Sequence, residues 1–342
     1  MCSSLRSDYN ASALGFSLLC CVYTARNEYF CGAPCACAKK LSPSSYLMSA
    51  KQISILIPTR NYDCRPLVEA LHRQLQQGHI DGEIILGDDS SDPHYAQLYD
   101  TLQQKGLIRL VRSSTNLGAG RMRNYLAQQA EGDQLLIIDS DTMPASSRFV
   151  VDYLQAAHSD RVVVGGFSYP TERPSRDRLL RYKYGHKVET RSLTERQQAP
   201  ADAFVSMSFM IPRQIFLEEG FPTEMGMGYE DAYFGYRLAE RGVVITHIDN
   251  PVIHALKETS DQFLDTTERY VENLYRHRAL LAPYPIRLLQ LYLRLERAKL
   301  VPLLAALAPL LKPLLRRQLT SRHPSLRLFA LYKLLHLCTL RD

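Results

Sequence analysis

The segment Ile53-Ser54-Ile55-Leu56-Ile57-Pro58-Thr59-Arg60-Asn61 carries the strongest structural signal in the chain. A run rich in β-branched side chains ends at a proline and a polar cluster, as a buried strand does where it leaves a sheet. Leu67, Val68, Leu71 and Leu75 then recur at helical spacing. Residues 83–86 form a second apolar run, and Tyr95, Leu98, Tyr99 and Leu102 share one helical face after it. Residues 107–111, 119–130 and 135–138 continue as strand, helix and strand. Strands apolar on both faces, alternating with amphipathic helices, predict an α/β fold with a mainly parallel sheet flanked by helices. Ligands of such sheets bind beyond the carboxyl ends of the strands, so the chemistry is sought there. Past Val162 the pattern is less regular. Residues 162–167, 204–211 and 243–248 read as strands, and 231–240 and 261–281 as helices.

The chain has 342 residues, 46% hydrophobic, with a net charge of +6. That charge is a property of the ends. Residues 285–342 hold eleven Lys and Arg against two acidic residues, and residues 1–47 hold four against two, which leaves the middle acidic. A nucleic-acid partner is not expected. Six of the eight Cys lie in residues 1–47, so the body reads as a protein of a reducing compartment. Cys31, Cys35 and Cys37 lack the second regular pair of a zinc knuckle, and residues 14–23 are too short and polar for a signal peptide. Residues 1–47 are expected to be a disordered extension, with translation starting at Met48. The expected domains are 48–283, catalytic, and 284–342, a helical, basic, Leu-rich tail.

Every strand of the first half runs into polar residues. Asp88-Asp89-Ser90-Ser91-Asp92 follows the second, Asn116 to Asn124 the third, and Asp139-Ser140-Asp141 the fourth. Asp139 and Asp141, two apart at a strand end, are expected to project to one side. Their oxygens suit Mg²⁺ or Mn²⁺, which complete their shells with water and substrate phosphates. Asp88 and Asp89 could accept hydrogen bonds from a ribose or base, or simply cap a turn. Arg121 and Arg123 could neutralise a pyrophosphate or contact the base, or be a solvated helix face. Gly226-Met227-Gly228-Tyr229-Glu230-Asp231 places an acidic pair in the first turn of a helix. Consecutive helical residues diverge by about 100°, so one carboxylate can face the site while the other braces the loop.

In that order, these motifs resemble the family 2 glycosyltransferases of the GT-A, Rossmann-like fold. The resemblance runs from about Gln52 to His254. It implies that Pro58, Thr59 and Asp89, with Asn61 and Asp88 beside them, surround the donor nucleotide. Asp141 and Asp139 would hold Mn²⁺ or Mg²⁺ against the diphosphate. Asp231 would act as catalytic base, supported by Glu230. His254 would complete the metal shell, with His247 as competitor, and Ser206 and Ser208 would approach donor sugar or acceptor. It further implies an inverting enzyme using a nucleotide-diphosphate sugar and a saccharide or lipid-linked acceptor, with cell-envelope polysaccharide synthesis as its setting.

In the tail, Leu291, Leu295, Leu303, Leu304, Leu307, Leu310, Leu311, Leu314 and Leu315 alternate with Arg and Lys. Residues 300–311 are too short and too interrupted by Pro302 and Pro309 to span a bilayer. The tail could instead lie on an anionic membrane surface or pack its leucines on the catalytic body. A cytoplasmic protein, peripheral on the inner face of the cell membrane, is the expectation. Two other readings compete. A metal-dependent phosphatase of the haloacid dehalogenase type would place its Asp-x-Asp after the first strand, and Asp139 follows the fourth. A catalytically inactive GT-A-like binding or scaffolding protein would have no need of Asp139, Asp141, Glu230 and Asp231 together.

Overall fold

The structure is a computed structural model describing residues 52–341; the expectations for residues 1–47 lie outside them. The chain runs β1 (Ile53–Thr59), α1 (Arg65–Gln77), β2 (Gly82–Asp89), α2 (Pro93–Gln104), β3 (Arg109–Ser113), α3 (Ala119–Gln129) and β4 (Gln134–Ile138). There follow β5 (Thr142–Pro144), α4 (Phe149–Ala156), β6 (Arg161–Val164), β7 (Phe167–Ser168), α5 (Leu179–Tyr184) and α6 (Leu193–Gln198). After these come β8 (Ser208–Pro212), α7 (Arg213–Glu219), α8 (Glu230–Glu240), β9 (Val244–His247) and β10 (Val252–His254). The last helices are α9 (Ser260–Arg276), α10 (Arg278–Leu281), α11 (Arg287–Arg297), α12 (Val301–Leu319) and α13 (Leu326–Thr339).

Seven strands form one sheet in the order β3-β2-β1-β4-β8-β6-β9. Only β8 runs against its neighbours. The fold is thus mainly parallel α/β, as expected. Alternation along β1 sends Ile53, Ile55 and Ile57 to one face, against α1, α2 and α4, and Leu56 to the other, against α3, α7 and α8. Pro58 lies within β1 rather than ending it. Pairing with β4 stops at Leu56 while pairing with β2 continues to Thr59, so the sheet is already open on one side where proline enters.

Three expected elements differ. The strand over 162–167 is two strands in different sheets, β6 and β7, divided at Gly165-Gly166. Gly166 has φ +83°, and a Cβ on Gly165 would stand 2.3 Å from the Asn250 carbonyl oxygen, so only glycine permits the crossing. The strand over 204–211 begins at Ser208. The helix over 261–281 breaks at His277 into α9 and α10.

β5, β10 and β7 form a small second sheet whose register sets His254 opposite Thr142. α9 starts at a Thr259–Gln262 capping box. It then buries Phe263 and Leu264 against α12 and α13, and Val271 and Leu274 against α11 and the end of α13. The helices past 284 therefore share hydrophobic clusters with the body.

Candidate active site

A cavity of about 1030 Å³ opens at the carboxyl ends of β1, β2 and β4. Thr59 and Asp89 reach it from β1 and β2, Arg123 from α3, and Asp139 and Asp141 from the turn after β4. Ser206 precedes β8, Glu230 and Asp231 open α8, and His254 ends β10. Sequence-distant acidic groups therefore meet on one wall system.

Asp139 and Asp141 lie beyond the end of β4, in a turn, and each takes a separate partner. Arg123 Nη2 donates to Asp139 at 2.6 Å, and the guanidinium lies over the Phe221 ring. Nε and Nη1 of Arg123 are buried without a partner. Burial pushes the Asp139 carboxyl up and Arg123 opposes it, with a net rise. His254 Nε2 stands 3.2 Å from Asp141 Oδ2, because the β5–β10 register brings the two strand ends together. Burial would raise Asp141, but His254 and then Lys257 hold it below the usual carboxylate range. The His254 ring meets Tyr169 edge-on, and its Nδ1 is buried with no partner.

Glu230 and Asp231 stand at the α8 N-terminus behind Tyr229, whose φ is 70°. Glu230 accepts the Gly228 N–H, and Asp231 Oδ1 accepts the Ala232 N–H at 2.7 Å. Burial raises both carboxyls, and a neighbouring acidic group adds to each rise, Asp231 for Glu230 and Asp139 for Asp231. Asn273 of α9 donates to the carbonyls of Gly226 and Gly228 at 3.1 and 2.6 Å, fixing the loop that carries the pair.

Several anticipated contacts point elsewhere. Asp88 faces away from the cavity, 3.3 Å from Arg112, and accepts the Ser91 N–H. Asp89 lines the cavity, yet its two oxygens accept the N–H groups of Leu117 and Gly118, at 2.6 and 2.8 Å. Asn61 clasps Asp92 from both sides of its amide and does not line the cavity. Arg121 donates to the Thr223 carbonyl at 2.7 Å, outside the cavity. Ser208 is fully buried, 2.6 Å from the Tyr153 hydroxyl. His247 sits between Arg196 and the Pro200 carbonyl, a structural position. Pro58, Thr59, Arg123 and Ser206 remain in the lining.

The structure adds groups that spacing did not single out. Lys257 lies over the Tyr62 ring at 3.4 Å and lines the cavity with Arg60. Tyr270 of α9 and Phe329 and Lys333 of α13 close other walls. His254-x-x-Lys257 was readable as a cation three residues from a candidate ligand; the α9 and α13 groups gave no local signal.

No cluster of three or more His, Cys, Asp and Glu side chains among the described residues is arranged to hold a metal. The facing pair of Asp141 and His254 still suits a hard divalent cation that takes most of its shell from water and a diphosphate. Their 3.2 Å contact is one that a cation would replace.

Residues 54–220 match the model of the glycosyl transferase family 2, a span that stops short of Glu230, Asp231 and His254. Glycosyltransferase GlyG of Streptococcus pneumoniae is 30% identical over 118 residues, 34% of this chain and 39% of that protein. The poly(ribitol-phosphate) beta-N-acetylglucosaminyltransferase TarS of Staphylococcus aureus is 26% identical over 122 residues, covering 33% of this chain and 20% of TarS. The chain thus spans well under half the length of these relatives. The mannosyltransferase PcManGT from Pyrobaculum calidifontis, solved with GDP-Man and Mn²⁺, shares the fold at TM-score 0.56. It is 17% identical, with 84% of this chain and 86% of that one covered.

Proposed function

We propose that the chain is a family 2 glycosyltransferase, resting on the match of residues 54–220 to that family's model, and that it moves a sugar from a nucleotide-diphosphate donor to an acceptor hydroxyl, inverting the anomeric centre. One observation carries the proposal. Asp141 with His254, Arg123 with Asp139, and Asp231 all line a single cavity of about 1030 Å³, large enough for a nucleotide sugar.

Thr59 and the loop pinned by Asp89 form the floor for the nucleotide. Arg123, Arg60 and Lys257 line the cavity and supply positive charge for the diphosphate. Asp141 and His254 are the residues that would hold Mn²⁺ or Mg²⁺. When bound, the cation offsets the negative charge that develops on the leaving diphosphate. As the acceptor oxygen bonds to the anomeric carbon, the bond to the diphosphate oxygen breaks and Asp231 takes the hydroxyl proton. Burial raises Asp231 above an ordinary carboxyl, which strengthens it as a base. Glu230 holds the Gly228 N–H and so positions Asp231.

The acceptor class we propose is a saccharide or lipid-linked saccharide of envelope polysaccharide synthesis, in the cytoplasm. That compartment agrees with Cys64 and Cys338, both free and buried. The test is turnover of a panel of nucleotide sugars, with and without Mn²⁺. Cation-dependent release of nucleoside diphosphate from one donor supports the assignment; no turnover and no binding of any donor refutes it.

A further inference from the structure

Helix α12 has two unlike faces. Ala308, Leu315 and Leu319 are buried in the cluster shared with α9 and α13. On the other side Leu303, Leu307, Leu310 and Leu314 recur at spacings of four, three and four. They are 58%, 40%, 69% and 62% exposed. Such a spacing is one stripe of a helix, and an exposed row of large apolar side chains marks an interaction surface.

The charges around the stripe identify what covers it. No acidic residue occurs in Val301–Leu319. Lys312 and Arg316 turn towards the protein, pairing with Glu268 and with Asp261 and Asp265. Arg317, three residues past Leu314, and Arg297 and Lys299, just before the helix, are exposed and make no ion pair among the described residues. The stripe is thus leucine flanked at both ends by cations. A second copy of the chain would bring this basic face against itself, with no acidic residue of α12 to answer it. An anionic lipid surface answers both the leucines and the cations. Crossing the bilayer is disfavoured: no single helix among the described residues is long and apolar enough. Among the described residues, the one pair of sufficient combined length, α11 with α12, is bent by 119°, and α11 buries Leu289 and Tyr292 in the protein.

We infer that α12 docks flat on an anionic membrane. Leu303, Leu307, Leu310 and Leu314 enter the acyl boundary, and Arg297, Lys299 and Arg317 lie at the headgroup phosphates. The docking face contains no residue of the cavity, so it stands independently of the transferase assignment.

Sedimentation of the full chain with phosphatidylcholine vesicles, with and without phosphatidylglycerol, tests the inference without substrate. The wild type pellets with phosphatidylglycerol vesicles, and salt releases part of it. The double variant L310S/L314S lowers the bound fraction about tenfold or more. The double variant K299Q/R317Q retains weak binding but loses the preference for phosphatidylglycerol. All four positions are exposed except for the partial cover of neighbouring side chains, and an unchanged circular dichroism spectrum confirms folding. Failure of the wild type to pellet overturns the inference, as does L310S/L314S pelleting like the wild type. A lipid-indifferent dimer that L310S/L314S disperses also overturns it, in favour of a second copy.

Discussion

Arg123 is 2% exposed and forms its ion pair with Asp139, with the carboxylates of Glu230 and Asp231 acting on it from further off. Taking a guanidinium from water is costly unless it is paired, so the Arg123–Asp139 contact governs both the packing of α3 and the charge of the cavity. Arg123→Met leaves the partly buried Asp139 without its counter-ion. We expect a loss of about 3 kcal/mol of stability in urea unfolding, together with weakened donor binding. Its neighbour Arg121 cannot do the same work: two residues along a helix turn by about 200°, so only one of the pair faces the site. For Asp141 and His254 the expected readout is the cation. His254→Ala should raise the Mn²⁺ concentration needed for donor binding at least tenfold, roughly what losing even an outer-shell partner costs. EDTA should stop wild-type turnover and added Mn²⁺ restore it; turnover indifferent to both would remove these residues from a metal role.

At the level of elements, the loop before α8 depends on α9. Gly228 has φ +101°, and a Cβ there would stand 2.8 Å from Tyr270. Gly228→Ala should therefore destabilise by about 1–3 kcal/mol and lower kcat by displacing Asp231. Asn273→Ala should lower kcat with little change in donor affinity, since it frees only the loop carbonyls; equal effects on both would point to general unfolding, read by circular dichroism. None of this was legible locally, because Asn273 and Tyr270 acquire their roles only when α9 docks. Much else was legible. The alternation of apolar runs and helical stripes gave the four parallel strands, and the acidic clusters after them gave the location of the cavity. Of the residues that point away from the cavity, Asp88 and Ser208 do so through strand parity. Ile84 and Leu86 pack on the α1–α2 face and Ile85 on the α3 face, so Asp88 follows the first pair to Arg112 and Asp89 follows the second to the loop before α3. Ser208 likewise belongs to the Tyr153 side. Sequence alone did not say which face the cavity would use.

Across the whole molecule, the C-terminal helices are held by apolar clusters and by a set of ion pairs to α9. Glu268 lies 2.8 Å from Lys312 and accepts the Tyr332 hydroxyl. Burial alone would raise its carboxyl, but these partners hold it below the ordinary value of 4.5. A carboxyl lowered on folding contributes stability above that value and loses it as pH falls through the lower folded one. Thermal unfolding should therefore show the midpoint falling below about pH 4.5, and Glu268→Gln should flatten that decline. The basic composition of residues 285–342 was visible in the sequence; that Phe329 and Lys333 from this region reach the cavity was not, since it depends on α13 packing against α5 and α9.

As the proposed base, Asp231 must take the acceptor's proton while Asp141 and His254 help to hold the donor in the same cavity. The most direct test is a comparison of donor binding and sugar transfer in Asp231→Asn, using the nucleotide sugar that the wild type turns over. Calorimetry should show donor affinity within a few-fold of the wild type, while transfer falls by on the order of 10²–10⁴. Transfer at the wild-type rate in that variant would contradict the assignment of Asp231 as the base.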